Sequence, residues 1–351
     1  MVQGLLLAAA WTQAAVWSEG QRAVEEWLGR TGAVGVSVAV VDDGAEWTAQ
    51  AGWADREGQD PVRPETLFRL ASISKPVCAT LTMSLVQRRK LDLDARISRY
   101  VPGFPDEGCA ITLRRVLSHT AGIRGYRPGR PDVFYRSLST AEAVGLIRHS
   151  PLRFEPSTAY GYSTHAFALA VAAMERAAGR PYREVLRFGV SRWGMDSLDV
   201  EVGAEAKPER TALYSATSLG PAVRVLRRED ISWKAGGGGL EGTALHVARF
   251  GLAVLRAKIV GTRERDAMWT PVRLPNGRST GYGLGWASDP ATAWHSGGQQ
   301  GCSSFLLVDR RRGVSAAVLC NTGGVDAGSL AKTLRDLWVG RAPGLRAGAD
   351  R

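Results

Sequence analysis

Strand-like sequence occupies both ends of this chain, and helical sequence fills the middle. Gly35-Val36-Ser37-Val38-Ala39-Val40-Val41 is an almost unbroken apolar run, closed by Asp42-Asp43-Gly44 and answered by a second strand over 46–52. This is the pattern of a hairpin whose first strand is buried. The last third repeats it, with strands expected over 281–286, 291–296, 302–309 and 314–320, and turns at Pro290, Gly297-Gly298 and Arg312-Gly313. Between the two blocks, residues 141–147, 164–178, 182–188 and 243–255 carry helical spacing, punctuated by Pro151, Pro156 and Gly179-Arg180-Pro181. The simplest assembly joins the terminal strands into one antiparallel sheet covered by the first and last helices. The expected class is therefore α+β: an antiparallel β-sheet flanked by helices, with an inserted all-helical lobe and a cleft between.

The stretch Phe68-Arg69-Leu70-Ala71-Ser72-Ile73-Ser74-Lys75-Pro76-Val77 sets a serine three residues before a lysine at an expected helix start. Residues at i and i+3 share a helix face, so the Ser72 hydroxyl and the Lys75 amine can meet. Pro76 suits a first turn, and Val77, Cys78, Leu81 and Leu85 form an apolar stripe behind it. A serine at a helix N-terminus lies in a positive field, and its own N–H is free to hold an oxyanion. A buried amine beside it can accept the hydroxyl proton. Ser72 is read as a nucleophile and Lys75 as its partner.

With 351 residues, 44% of them hydrophobic, the chain can bury a core without disulfides or metal. The expected layout is a signal or disordered N-terminus over 1–18, one domain over 19–340 and a flexible tail over 341–351. Within the domain, 19–75 and 240–340 form the α/β lobe, and 76–239 the helical lobe. The net charge of +11 is scattered and mostly arginine, without aromatic interleaving, so it reads as a solvated surface and nucleic acid is not an expected partner. Four cysteines show neither a CxxC pair nor metal-ligand spacing, and no cofactor is expected. Cys302 and Cys320 fall symmetrically about Arg311, so they could face one another, as a disulfide or, as the preferred reading, as reduced thiols. The apolar run from Gly4 to Trp11 followed by Ala14-Ala15 is patterned like a secretory signal, but no Lys or Arg precedes it; export is the expectation that follows. No other stretch is long and apolar enough to span a membrane.

Two further stretches fit acyl transfer. Tyr160-Gly161-Tyr162-Ser163-Thr164 offers a phenol that can act as base and then acid if an ammonium lies near, although taken alone it also reads as a helix entrance with Ser163 as N-cap. Trp294-His295-Ser296-Gly297-Gly298 ends a strand: its glycines let backbone approach a substrate, the Gly298 N–H can be a second oxyanion donor, and His295 can polarise Tyr162 or bind a carboxylate. Three decoys match less well. Ser118-His119 in Leu117-Ser118-His119-Thr120-Ala121-Gly122 reads as a structural turn. Ser329-Leu330-Ala331-Lys332 repeats the spacing inside the last helix, and Lys234-Ala235-Gly236 precedes a helix.

Taken in order, these stretches resemble the serine β-lactamase-like superfamily: class C β-lactamases, D-alanyl-D-alanine peptidases and related esterases. Most alike within it are the mitochondrial β-lactamase-like serine protease and its bacterial relatives. Lys90-Leu91-Asp92-Leu93-Asp94, Ser118-His119 with Gly122-Ile123-Arg124, Trp233 to Gly238 and Met268-Trp269-Thr270-Pro271-Val272 add to that match. The resemblance implies a β-lactamase/transpeptidase-like fold. It implies a serine hydrolase forming an acyl-enzyme on peptide, amide or ester substrates; the alternative is a catalytically weak or silent self-assembling scaffold, a homo-oligomer, or a ligand-binding protein with the same fold. Ser72 would be acylated, Lys75 and Tyr162 would shuttle protons, and the N–H groups of Ser72 and Gly298 would form the oxyanion hole. Thr164 would stand where relatives place an amide-binding asparagine, and His295 where class C enzymes place a lysine. A carboxylate is then held less firmly, and β-lactamase activity is expected to be weak or absent.

Overall fold

A computed structural model of the chain describes residues 2–106, 111–127, 132–203, 205–217 and 220–340, with the backbone alone over 2–16. Cys109, part of the 124–134 loop and the 341–351 tail lie outside the described residues. The helices are α1 (Val2–Thr31), α2 (Ser74–Gln87), α3 (Leu113–Leu117), α4 (Thr140–Arg148), α5 (Phe167–Ala178), α6 (Tyr182–Ser191), α7 (Ala235–Gly238), α8 (Ala244–Leu255), α9 (Thr262–Trp269) and α10 (Ala327–Val339).

The terminal blocks join in one antiparallel sheet of seven strands. Its order is Asp60–Pro61, Glu46–Asp55, Gly35–Val41, Val314–Cys320, Cys302–Asp309, Thr292–Gln299 and Ala287–Ser288. Gly35–Val41 lies against Val314–Cys320 with Val38 opposite Val318, and every residue of both strands is buried. Covered on two faces, these strands need no polar alternation, which is why they read as continuous apolar runs. Alternation instead sorts their side chains between two cores. Val36, Val38, Val40 and Val318 pack with Trp27, Leu330, Leu334 and Trp338 of α1 and α10. Ala39, Val41, Ala317 and Leu319 join the larger core, which continues through α8 and α2 into α5 and α6. Sheet and helical lobe therefore share one apolar interior.

Two expectations need correction. Residues 281–286 are not a strand: Gly281 and Gly285 adopt φ of +68° and +77°, and a side chain on Gly283 would begin 2.0 Å from the Met268 carbonyl oxygen. Pairing starts only at Ala287–Ser288. Cys302 and Cys320 do not oppose one another, because Ser303 is the partner of Cys320. A slip of one position turns the two thiols to opposite faces, and Cys78, Cys302 and Cys320 are all free. Residues 2–18 form the first part of the continuous helix α1. No helix among the described residues is long and apolar enough to cross a membrane.

Candidate active site

Between Thr66 and Met83 every residue is buried except Ser72. The backbone that presents it is irregular: Phe68–Arg69 pairs with Leu240–Gly242, a 3-10 turn runs over Ala71–Ile73, and α2 follows at once. Ala71 sits at φ +47°, a strained value for a residue with a Cβ, immediately before the serine. Irregular buried backbone needs partners for its carbonyls, and side chains supply them in succession. Cys302 Sγ donates to the Arg69 carbonyl at 2.9 Å, Ser304 Oγ to that of Leu70 at 2.8 Å and Ser74 Oγ to that of Ala71 at 2.7 Å. The Leu240 N–H in turn donates to Ser74 Oγ at 3.1 Å. Arg69 itself is fully buried and forks onto Glu201 at 2.9 and 2.7 Å, with Arg228 on the same carboxylate. Burial pushes the Glu201 carboxyl up, but the two guanidinium groups outweigh it and hold it at about 2.

Ser72 Oγ lies 3.1 Å from Lys75 Nζ and 2.8 Å from Tyr162 Oη. Lys75 is fully buried and also reaches the Gly237 carbonyl at 2.5 Å and Thr164 Oγ1 at 3.2 Å. Burial, reinforced by the nearby charge of Lys234, holds its amine well below the ordinary lysine range. A neutral amine fits this set: two N–H bonds point to Gly237 and Thr164, and the lone pair faces the Ser72 hydroxyl. Tyr162 is 38% exposed, yet its crowded surroundings push the phenol above its ordinary value through burial. It is thus a neutral donor to Ser72 rather than a phenolate.

The glycine run has a packing purpose. Ala235–Gly238 forms the short helix α7 between α2 and α5, where a Cβ on Gly236 would come within 2.6 Å of Val171 Cγ2 and one on Gly237 within 2.6 Å of the Thr164 carbonyl oxygen. That close approach brings the Gly237 carbonyl to Lys75. The Lys234 stem passes beside Gly238 and Ala71, and its ammonium is 3.5 Å from Glu229.

The third stretch forms the opposite wall. A Cβ on Gly297 would lie 2.1 Å from Ser304 Oγ and 2.6 Å from the Leu70 carbonyl oxygen, whereas one on Gly298 would meet nothing within 4 Å. Gly297 therefore admits the protein's own backbone, and Gly298 faces open space. His295 is 5% exposed; its Nδ1 donates to the Ser296 carbonyl at 2.6 Å, and its Nε2 accepts from Tyr282 at 2.9 Å. Burial and the proximity of Lys75 lower its pKa to about 3, so the ring is neutral. Its centroid is 6.3 Å from that of Tyr162, and both nitrogens are occupied within the protein.

His119, read from sequence as a turn residue, supports Tyr162 directly. Its carbonyl accepts from the Gly161 N–H at 2.9 Å and its Nδ1 from the Ser163 N–H at 3.2 Å, gripping both neighbours of the tyrosine. The imidazole lies 4.3 Å from the Tyr162 ring, and His119 adopts φ +60°. Ser163 also caps the turn before α5, accepting from the Ala166 N–H at 3.1 Å while donating to the Arg124 carbonyl at 2.5 Å. In the sequence this residue was marked by the Ser118-His119 pairing and by the resemblance that Ser118-His119 with Gly122-Ile123-Arg124 carries, and not by any local sign of contact with Tyr162. The second serine–lysine pair, Ser329 and Lys332, lies on α10 at the far face of the sheet. Among the described residues no group of three or more His, Cys, Asp or Glu could hold a metal ion.

Comparison with known proteins agrees with this architecture. The Beta-lactamase family model matches residues 21–337. Esterase EstB of Burkholderia gladioli is 31% identical, over 81% of this chain and 85% of its own length. The human mitochondrial serine beta-lactamase-like protein LACTB is 26% identical, over 86% of this chain and 75% of its own. Among solved structures, the D-amino acid amidase of Ochrobactrum anthropi SV3 superposes with a TM-score of 0.78 at 24% identity, covering 93% of this chain and 97% of that one. With the family model spanning nearly the whole described domain, the chain belongs to the beta-lactamase family.

Proposed function

We propose that this protein is a serine hydrolase that forms an acyl-enzyme at Ser72 and acts on esters or amides lacking a carboxylate beside the reacting carbonyl. The observation that carries the reading is the position of Ser72 Oγ between the neutral amine of Lys75 and the protonated phenol of Tyr162. In the first step Ser72 Oγ bonds to the carbonyl carbon while its proton passes to Lys75 Nζ. The carbonyl π pair moves to oxygen, where the N–H groups of Ser72 and Gly298 receive it. Collapse expels the alcohol or amine, which takes its proton from Lys75 through Tyr162. Water then repeats the sequence in reverse and frees the acid.

Charge around the site favours uncharged substrates. Burial holds the Lys75 amine well below the ordinary lysine range, Lys234 is paired with Glu229, and His295 is neutral with both nitrogens engaged. None offers the fixed positive charge that a β-lactam carboxylate requires, and β-lactam turnover should be weak or absent. Tyr126 and Tyr160, 48% and 38% exposed, add aromatic surface suited to an apolar acyl or alcohol group. The 31% identity with a protein named as an esterase supports the same reading.

The test is labelling by a fluorophosphonate together with burst release from a p-nitrophenyl ester series, with peptide, amide and β-lactam panels alongside. Wild type should label and turn over esters, and Ser72→Ala should do neither. A folded wild-type protein that neither labels nor releases p-nitrophenol would overturn the proposal, as would efficient cephalosporin turnover.

A further inference from the structure

We propose that the hollow where α2, α5, α6 and α8 end is a binding site for an anionic amphiphile: one acyl chain carrying a carboxylate or phosphate head. The cavity, of about 780 Å³, lies at the end of α2 away from Lys75. Its size is that of small-molecule sites. Leu81, Leu85, Val185 and Ile259 supply apolar walls, and Gly189 lets α6 press close, since a Cβ there would lie 2.5 Å from Leu81 Cδ2.

The rim is of one sign. Arg88, Lys90, Arg180, Arg192 and Lys258 border the cavity, no Asp or Glu does, and none of the five forms an ion pair among the described residues. Helix α6 shows that this is a matter of position. Arg183 and Arg187 of the same helix are paired with Asp199, while the cations bordering the hollow are left without carboxylates. A second cavity of about 650 Å³, at the start of the loop after α2, is bordered by Asp92, Asp94 and Glu264 as well as by cations.

Helix dipoles account for part of the charge and not all of it. Four helix C-termini, those of α2, α5, α6 and α8, bring about −0.5 each, or about −2 together. Five unit cations exceed that by about three charges, and they stand around an apolar floor. Phe188 reinforces the amphiphilic character: it is 53% exposed, with the Arg180 and Arg192 guanidinium carbons 6.0 and 5.4 Å from its ring centre. Trp193, 36% exposed, borders the same cavity. A ligand with a negative head and an apolar body satisfies both features; inorganic phosphate satisfies only the rim, and an uncharged lipid only the floor.

Calorimetric titration of the full chain with monomeric sodium myristate, below its micellar concentration, tests this without reference to hydrolysis. Wild type, Ser72→Ala and protein blocked at Ser72 by a fluorophosphonate should all bind one equivalent with the same affinity, weakening as salt rises. The Arg88→Gln/Lys258→Gln variant should bind at least about tenfold more weakly with unchanged circular dichroism, and Val185→Trp, which fills the hollow, should do the same. Inorganic phosphate and 1-monomyristin should each bind far more weakly than myristate. The proposal is overturned if myristate shows no saturable binding, if both variants retain wild-type affinity, or if blocking Ser72 abolishes binding. Association only with vesicles of phosphatidylcholine and phosphatidylglycerol, and never with monomers, would also overturn it in favour of a membrane-facing surface.

Discussion

Tyr282 donates its phenolic O–H to His295 Nε2 across 2.9 Å, and this bond fixes the state of the imidazole. With Nδ1 donating to the Ser296 carbonyl, Nε2 must be the unprotonated nitrogen, and a proton added there would lose the Tyr282 bond. Burial and the nearby Lys75 hold the pKa at about 3, against about 6.5 in an unfolded chain. The unfolded state therefore binds an extra proton between these values, and His295 contributes a loss of stability as pH falls through that window. Thermal denaturation from pH 7 to pH 4 should show Tm falling in wild type, with a shallower decline in His295→Gln. An equal decline in both would mean that His295 does not carry the effect. The same variant should leave the pH profile of ester hydrolysis between pH 6 and 8 unchanged in shape, since the imidazole is already neutral there.

Lys75 is placed to receive the Ser72 proton only while uncharged. Burial keeps it so at pH values where an exposed lysine would be an ammonium. Lys75→Ala and Tyr162→Phe should each lower kcat/KM for an activated ester by about 10²–10⁴-fold, the range for a positioned acid or base. The acid limb of the wild-type profile should lie well below the ordinary lysine pKa. An acid limb near pH 10 would show a charged resting Lys75 and remove it as the base.

His119 should act through Tyr162 without touching the substrate. His119→Ala removes the Nδ1 acceptor for the Ser163 N–H and places alanine at φ +60°, whereas asparagine tolerates that backbone. The expected result is a kcat at least about tenfold lower in His119→Ala, with KM little changed, partly recovered in His119→Asn. Equal losses in kcat and thermal stability for both variants would reduce His119 to a structural turn.

Much of this site was legible in order rather than in any one motif. The strands 35–41, 302–309 and 314–320 stand where apolar patterning put them, because burial on two faces leaves a plain pattern. The spacing of Ser72 and Lys75 pointed correctly to contact, although the turn between them is 3-10 before it is α-helical. What spacing could not show was tertiary. Cys302 and Ser304 satisfy the Arg69 and Leu70 carbonyls only because the far strand crosses the serine turn. His295 resembled a substrate ligand until Tyr282, distant by local pattern, occupied it. The packing role of the glycines at 236 and 237 had no local signal, because their partners belong to α2 and to the entrance and body of α5.

The buried Arg69–Glu201 pair is a stability determinant set three residues before the serine. Removing one partner strands the other charge in the interior, a cost of about 3–5 kcal/mol. Glu201→Leu should lower the unfolding free energy by about that amount in urea titration, and Arg228→Leu by less, since Arg69 still pairs with the carboxylate. A change below about 1 kcal/mol in Glu201→Leu would show that the pair is solvated in practice.

Gly297 and Gly298 are adjacent and should respond in opposite ways. A methyl group on Gly297 would collide with Ser304 Oγ and with the Leu70 carbonyl oxygen, both belonging to the scaffold that holds the Ser72 turn. The strand would have to retreat from Ala71, carrying the Gly298 N–H with it. Gly297→Ala should therefore lose ester hydrolysis by about 10²-fold or more, the scale of losing one oxyanion donor, and lower Tm as well. A methyl group on Gly298 meets nothing, and neither glycine has a left-handed φ, so Gly298→Ala should keep Tm and stay within a few-fold of wild-type activity on small esters. Larger acyl groups would meet the new methyl in the open space beside Ser72, and their KM should rise. If Gly298→Ala were as damaging as Gly297→Ala on the smallest ester, the strand end would need every side chain absent, and the oxyanion role would have to be reassigned along it.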